Sequence, residues 1–309
     1  MSGTPYNFSV DDNAPKGMII CEDLVKIYKT TDIEVVALRG LDLTIDAGEM
    51  MAIIGNSGSG KSTLLNIIGG LDKPTAGRIS VAGKDLLKFE DKDLIAYRRE
   101  SVGFIWQNNA RNLIPYLTAL DNVEVPMAIA GKKNRRDRAK ELLEMVGLGQ
   151  RMNSKTTELS GGEQQRVAIA IAIANEPKLV LADEPTGNVD TKAANVVFQV
   201  FREINRTLGV TIVVVTHDRR IARAVDRYVA IRDGKTSSEF VRRESYSDEF
   251  AEITIHTPDE DSHEELAVID RAGRLQLPRE YLERAGLSTG KAKVELDGDR
   301  IVIHSPDPE

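Results

Sequence analysis

Residues 50 to 68 read MMAIIGNSGSGKSTLLNII. The run Met50 to Ile54 has no polar residue alternating with the apolar ones, which predicts a strand buried on both faces. The apolar positions after Lys61 predict a helix. Between strand and helix, GNSGSGKST at 55 to 63 fits G-x-x-x-x-G-K-[ST] in the required strand, turn, helix setting. Gly55, Gly58 and Gly60 let successive backbone N–H groups close around phosphate oxygens, with Asn56, Ser57, Ser59 and Thr63 completing the loop. The helix that follows adds the positive end of its dipole. The motif assigns the β- and γ-phosphates of a nucleotide to Lys61 and a Mg2+ ligand to Ser62.

Such a loop needs an acidic partner, and KLVLADEP at 178 to 185 supplies it by delivering Asp183 and Glu184 at the carboxyl end of an apolar strand. Open α/β sheets bind ligands at that end. Asp183 is expected to hold Mg2+ through water, and Glu184 to polarise the attacking water as a base. The runs VGFIW and TIVVVTH predict further buried strands of a mainly parallel sheet. Met18 to Ile27, Leu41 to Ile45 and Arg78 to Val81 alternate more and predict an antiparallel layer beside it. Residues 110 to 176 read mainly as helix.

Length and composition set the limits. At about 150 residues per domain, 309 residues suggest two domains. With 41% hydrophobic and 29% charged residues, a wholly disordered or disulfide-stapled chain is excluded. Cys21 is the lone cysteine and sits in a predicted strand, which fits a reducing cytoplasmic setting. No apolar stretch approaches the 18 to 20 or so residues that span a bilayer. A net charge of -7 argues against nucleic acid as a partner. Residues 1 to 17 read as a disordered arm. Residues 244 to 265 hold nine acids and no Lys or Arg, which predicts a solvated linker.

LSGGEQQR at 159 to 166 resembles the signature of ATP-binding cassette (ABC) proteins, and the rest of the family's motifs appear in order across about residues 18 to 235, within an expected nucleotide-binding domain of 18 to 243. Tyr28 matches the aromatic that stacks on adenine, Gln107 the Q-loop glutamine, Asn188-Val189-Asp190 the D-loop, and His217 the switch histidine. The resemblance implies a RecA-like core, an antiparallel β layer and a helical subdomain. It implies ATP and Mg2+, a catalytic set of Glu184, His217, Gln107 and Lys61, and a metal set of Ser62, Gln107 and Asp183. Ser160, Gly161, Gly162 and Glu163 open a helix whose N–H groups can bind a γ-phosphate. The chain already has its own phosphate loop, so that second phosphate belongs to a partner, and the implied assembly is a head-to-tail homodimer. Details such as LADEPTGNVD and NVEVPM are similar to the MacB, LolD, FtsE and bacitracin-exporter cassettes. Those relatives serve membrane permease subunits with extracellular domains, from the inner face of the membrane. Three positions depart from the pattern: Glu163 stands where Gln is commonest, Ile171 where Arg is usual, and the loop after Gln107 is two residues longer.

The stretch DRAGRLQLPREYLERAGLSTGKAKVELDGDRIVIHSP, from 270 to 306, resembles the swapped-hairpin domain of AbrB, SpoVT and MazE-type proteins. A segment of that size without cysteines cannot bury a core alone. Residues 266 to 309 are therefore expected to form a mainly-β dimerisation domain. The resulting expectation is an ATPase subunit of a MacB-like transporter, exporting peptide, drug or lipoprotein or transmitting force. The alternative is an ATP-dependent regulator that uses the tail to bind protein or DNA.

Overall fold

The structure is a computed structural model that describes residues 17–29, 33–107, 112–187, 189–218, 224–242, 263–269, 273–275, 277, 279–287 and 292–305. The expected N-terminal arm lies, apart from Gly17, outside them, as do most of the acidic linker and Asn188 of the D-loop.

Two sheets are present in the cassette. β1 (Ile19–Lys29), β2 (Glu34–Ile45), β4 (Ala76–Val81) and the short β5 (Lys84–Asp85) form an antiparallel sheet in the order β2-β1-β4-β5. β3 (Met50–Ile54), β6 (Val102–Ile105), β7 (Leu179–Asp183), β8 (Thr211–Thr216) and β9 (Arg227–Arg232) run parallel in the order β9-β3-β8-β7-β6. The parallel register of β9 was not read from the sequence, where RYVAIR is broken by arginines at both ends.

The strands alternate between two cores. Met50, Ala52 and Ile54 of β3, Val180 and Ala182 of β7, and Ile212 and Val214 of β8 enter one cluster with α3 (Ala119–Ile129), α4 (Arg135–Met145), α5 (Gly161–Ile173) and α6 (Thr191–Leu208). Met51, Ile53, Leu179, Leu181, Val213 and Val215 point the other way, to α1 (Lys61–Ile68) and the antiparallel sheet. This two-sided burial is why the strands read as unbroken apolar runs. Each fully buried Leu, Ile or Val contributes about 1.5–3 kcal/mol. α2 (Asp91–Glu100) closes the second core with the buried Tyr97, whose phenol donates to Ile68 O at 2.7 Å.

One ion cluster fastens the sheet's flank. Arg227 contacts Glu49 through Nε at 2.6 Å and Glu239 through Nη1 at 2.8 Å, and its Nη2 donates to Thr44 O at 2.7 Å. It thereby links β9 to the loop before β3, to the end of β2 and to β10 (Lys235–Arg242).

Beyond the cassette, β11 (His263–Ala267) pairs antiparallel with β10, with Arg242 opposite His263 and Ser238 opposite Ala267. This strand straddles the expected boundary at 265/266, so the last acids of the anticipated linker, Glu264 and Glu265, belong to an edge strand. An edge strand open to solvent needs no apolar period, and charges there block further pairing. After it come an isolated bridge between Ile269 and Leu275, α7 (Arg279–Arg284) and a hairpin of β12 (Lys293–Asp297) and β13 (Arg300–His304). Gly298 turns the hairpin at φ 62°. The pairs Val294–Ile303 and Leu296–Ile301 share one hairpin face. Val294, Leu296 and Ile301 on that face are 63, 76 and 65% exposed.

Candidate active site

The phosphate loop leaves β3 at the carboxyl edge of the parallel sheet, with β8 and β9 on either side. Gly58 (φ 78°) and Gly60 (φ 102°) adopt conformations that β-carbons disfavour, and Gly60 begins α1. A Cβ on Gly55 would lie 2.4 Å from Ile231 O, so the loop packs backbone to backbone on β9. Lys61 is buried, with Nζ donating to the carbonyls of Gly55 (2.8 Å) and Asn56 (2.9 Å). Burial draws its pKa below the ordinary value, opposed by the charges of Glu184 and Asp183. The Ser59 hydroxyl is buried in the loop without a partner.

Ser62 Oγ donates to Asp183 Oδ1 at 3.3 Å, bringing the residue after Lys61 to the end of β7. Burial raises the Asp183 carboxyl above its usual range; the Ser62 bond and the Lys61 charge oppose that, and the neighbouring Glu184 charge adds to it. A hydroxyl and a carboxylate so placed are hard oxygen donors of the kind Mg2+ takes, so the donor set fits the expected ion. Gln107, the third expected metal residue, stands exposed at the end of β6. The base of its loop is pinned by Asn112, which accepts from Trp106 N at 2.9 Å and donates to Trp106 O at 2.8 Å. Trp106 itself stacks on Phe104 with 3.9 Å between ring centroids.

Glu184 follows Asp183 with φ 48°, a left-handed backbone that a non-glycine residue adopts only under constraint. Its amide donates to Val215 O at 2.9 Å, tying β7 to β8. The turn brings Glu184 Oε1 to 2.8 Å from His217 Nδ1 and lets Oε2 accept from Thr216 Oγ1 at 3.3 Å. The base expected from the sequence and the switch histidine are therefore in direct contact. Thr216 was not singled out from sequence; its place one residue before His217 on a strand ending at the site was the available signal.

Tyr28 lies at the end of β1, its phenol donating to Asp72 Oδ2 at 2.8 Å. At the other expected element, Ser160 caps α5 in a reciprocal box. Its Oγ accepts from Glu163 N at 3.3 Å, while Glu163 Oε2 accepts from Ser160 N and Oγ, each at 2.8 Å. These bonds from Ser160 outweigh partial burial and, with the nearby arginines, hold the Glu163 carboxyl below its usual range. Gly162 packs on α6: a Cβ there would lie 2.8 Å from the Ala193 Cβ. Asp190 caps α6 by accepting from Ala193 N at 2.8 Å. Ile171 packs against the larger core, which accounts for an apolar residue at that position.

The chain therefore gathers Lys61, Ser62, Asp183, Glu184 and His217 at one sheet edge. Among the described residues no hydrogen bond or ion pair joins Ser160 to Glu163 with the phosphate loop.

Residues 38–187 match the family described as ABC transporter. The lipoprotein-releasing system ATP-binding protein LolD of Anaeromyxobacter dehalogenans is 48% identical over 223 residues, 71% of this chain and 92% of its own length. The macrolide export ATP-binding/permease protein MacB of Rhodopirellula baltica is 45% identical over 235 residues, 75% of this chain and 34% of its own length. Among solved structures, a dimeric post-hydrolysis state of the ATP-binding cassette MJ0796 bound to ADP and Pi is 42% identical with a TM-score of 0.66. That likeness covers 97% of the MJ0796 chain and 72% of this one. The chain belongs to the ABC transporter ATP-binding proteins of the LolD and MacB type, and it is an ATPase.

Proposed function

We propose that the chain powers a separate membrane permease with extracellular domains, as a homodimer on the inner face of the membrane, in export of peptide, drug or lipoprotein or in mechanotransmission. The observation that carries the chemistry is the 2.8 Å contact between Glu184 and His217 beside Lys61 and the Ser62–Asp183 pair. The amides of residues 55 to 63 and the Lys61 ammonium bind the β- and γ-phosphates of ATP. Ser62, Asp183 and Gln107 hold Mg2+, which when bound neutralises charge on the phosphate oxygens. Glu184, fixed by Thr216 and His217, takes the proton of the attacking water. Tyr28 receives the adenine. Ser160, Gly161 and Gly162 of a second chain, with Glu163 and Asp190 beside them, close over the γ-phosphate, in keeping with a signature that makes no bond to its own phosphate loop. No helix among the described residues is long and apolar enough to cross a membrane.

The exposed apolar face of the β12–β13 hairpin supports a dimerisation role for residues 266 to 309. Two hairpins placed face to face bury what one leaves in water, and two-stranded hairpins alone are marginal.

The central test is Glu184→Gln, which keeps the shape of the side chain and removes its basicity. ATP binding should persist while phosphate release falls about 10²- to 10⁴-fold, and a closed ATP-bound dimer should accumulate in light scattering. Unchanged turnover would remove Glu184 from the role of base.

A further inference from the structure

The aromatic at the mouth of the site is held by groups that the proposed hydrolysis does not use. Lys26 and Tyr28 are two residues apart on β1, across a shift in its register with β2, and their side chains meet. The Lys26 ammonium lies 4.8 Å from the Tyr28 ring centroid, over one face of the ring. It pairs with Asp72 Oδ1 at 2.6 Å and donates to Lys73 O at 2.8 Å. Asp72 in turn accepts the Tyr28 phenol on Oδ2 at 2.8 Å and the Lys73 amide on Oδ1 at 2.7 Å.

The support behind Asp72 is rigid. The Leu71 and Asp72 amides donate to Asn66 O of α1 at 2.8 and 3.3 Å. Thr75 is bonded to β1 twice, through its amide to Val25 O at 2.8 Å and through Oγ1 from Ile27 N at 3.0 Å. Asp72 therefore belongs to the same rigid piece as the helix that carries Lys61 and Ser62.

We propose that Asp72, anchored by Lys26, is a positioning residue for the nucleobase. It fixes the Tyr28 ring with one face closed by the ammonium and the other open to the base of a nucleoside triphosphate. The proposal rests on the reading that Tyr28 receives the base. A tyrosine tethered at its hydroxyl and covered on one face has already lost the rotational freedom that stacking would otherwise remove, so the base meets a prepared surface. The tether also sets the distance from that surface to the phosphate loop, through α1.

The test uses the full chain, with ATP and with inorganic tripolyphosphate, which carries the phosphates without a base. Asp72→Ala and Tyr28→Phe should each raise the Kd and KM for ATP about 3- to 10-fold, the worth of a hydrogen bond to a charged group. Asp72→Ala should leave kcat and tripolyphosphate affinity as they were, and Tyr28→Phe should leave tripolyphosphate affinity as it was. Tyr28→Ala should weaken ATP by on the order of 10-fold or more, and in that background Asp72→Ala should add nothing. Equal loss of tripolyphosphate binding, or a full additive effect of Asp72→Ala on top of Tyr28→Ala, would make Asp72 merely structural. Tyr28→Phe keeps every atom but the hydroxyl oxygen, so the test survives if Asp72→Ala folds poorly. If Tyr28→Ala weakens ATP while Tyr28→Phe and Asp72→Ala do not, the clamp is wrong; if Tyr28→Ala itself has no effect, the base platform is wrong and the clamp with it.

Discussion

Gly162→Ala adds one methyl where α5 packs on α6. That methyl would sit 2.8 Å from the Ala193 Cβ, whereas carbon atoms in good contact are about 3.5–4.0 Å apart. The two helix starts must therefore separate by about 1 Å. Overpacking of this kind costs about 1–3 kcal/mol of stability. The larger effect is on chemistry, because Ser160 and Gly161 sit on the displaced turn, and an error of about 1 Å in a reacting group lowers rates by roughly 10²-fold. The assay is steady-state phosphate release from the full chain, with ATP binding followed by calorimetry. Release should fall about 10²-fold while ATP affinity holds, since the phosphate loop is untouched. Ala193→Gly removes the opposing methyl and should restore at least a tenth of the lost rate in the double variant. Full activity in Gly162→Ala, or a double variant as inactive as the single one, would refute the packing argument.

Three further outcomes are expected. Arg227→Met leaves Glu49 and Glu239 half-buried without their cation, and calorimetric unfolding should show a loss of about 3–5 kcal/mol; a loss below about 1 kcal/mol would mean that solvent already screens the cluster. Leu296→Asp, at a side chain 76% exposed in the single chain, should leave stability within about 0.5 kcal/mol yet abolish nucleotide-free dimers in light scattering; dimers that persist would exclude the hairpin face as a contact. Burial alone would raise the Asp72 carboxyl, but the bonds from Lys26, Tyr28 and the Lys73 amide hold it below the usual carboxylate range. A depressed pKa gives stability that is present above the ordinary carboxylate value and lost as pH falls through the folded one. The melting temperatures of the wild type and Asp72→Ala should therefore converge on acidification, and a gap that stays constant would argue against the ion pair.

The phosphate loop, the acidic pair and the buried parallel strands were legible because each is fixed by local chemistry. A glycine-rich turn after Met50–Ile54 has few other uses, and two-sided burial writes itself as an unbroken apolar run. What was not legible depends on distant partners. Glu264 and Glu265 read as linker because an edge strand open to water carries no apolar period, and only β10 gives it a place. Asp72 carries no local signal because its partners Lys26 and Tyr28 lie 46 and 44 residues away in the chain. Asp190 was assigned to nucleotide from its motif, and its contact in the single chain is the cap on α6. The strained turn at Glu184 has no sequence sign at all, since a left-handed glutamate is imposed by the Val215 and Gly187 bonds around it.

Asn112 grips the backbone of Trp106 on both its N–H and its C=O, like a staple across the foot of the loop that begins at Gln107. With the foot closed, Trp106 and β6 before it are held by the Asn112 side chain, whatever joins the two residues. Doubling the length of a flexible loop adds only about 0.6 kcal/mol of closure entropy. The parallel sheet that carries Asp183 and Glu184 is thereby insulated, at Trp106, from changes of sequence between the two clasped residues.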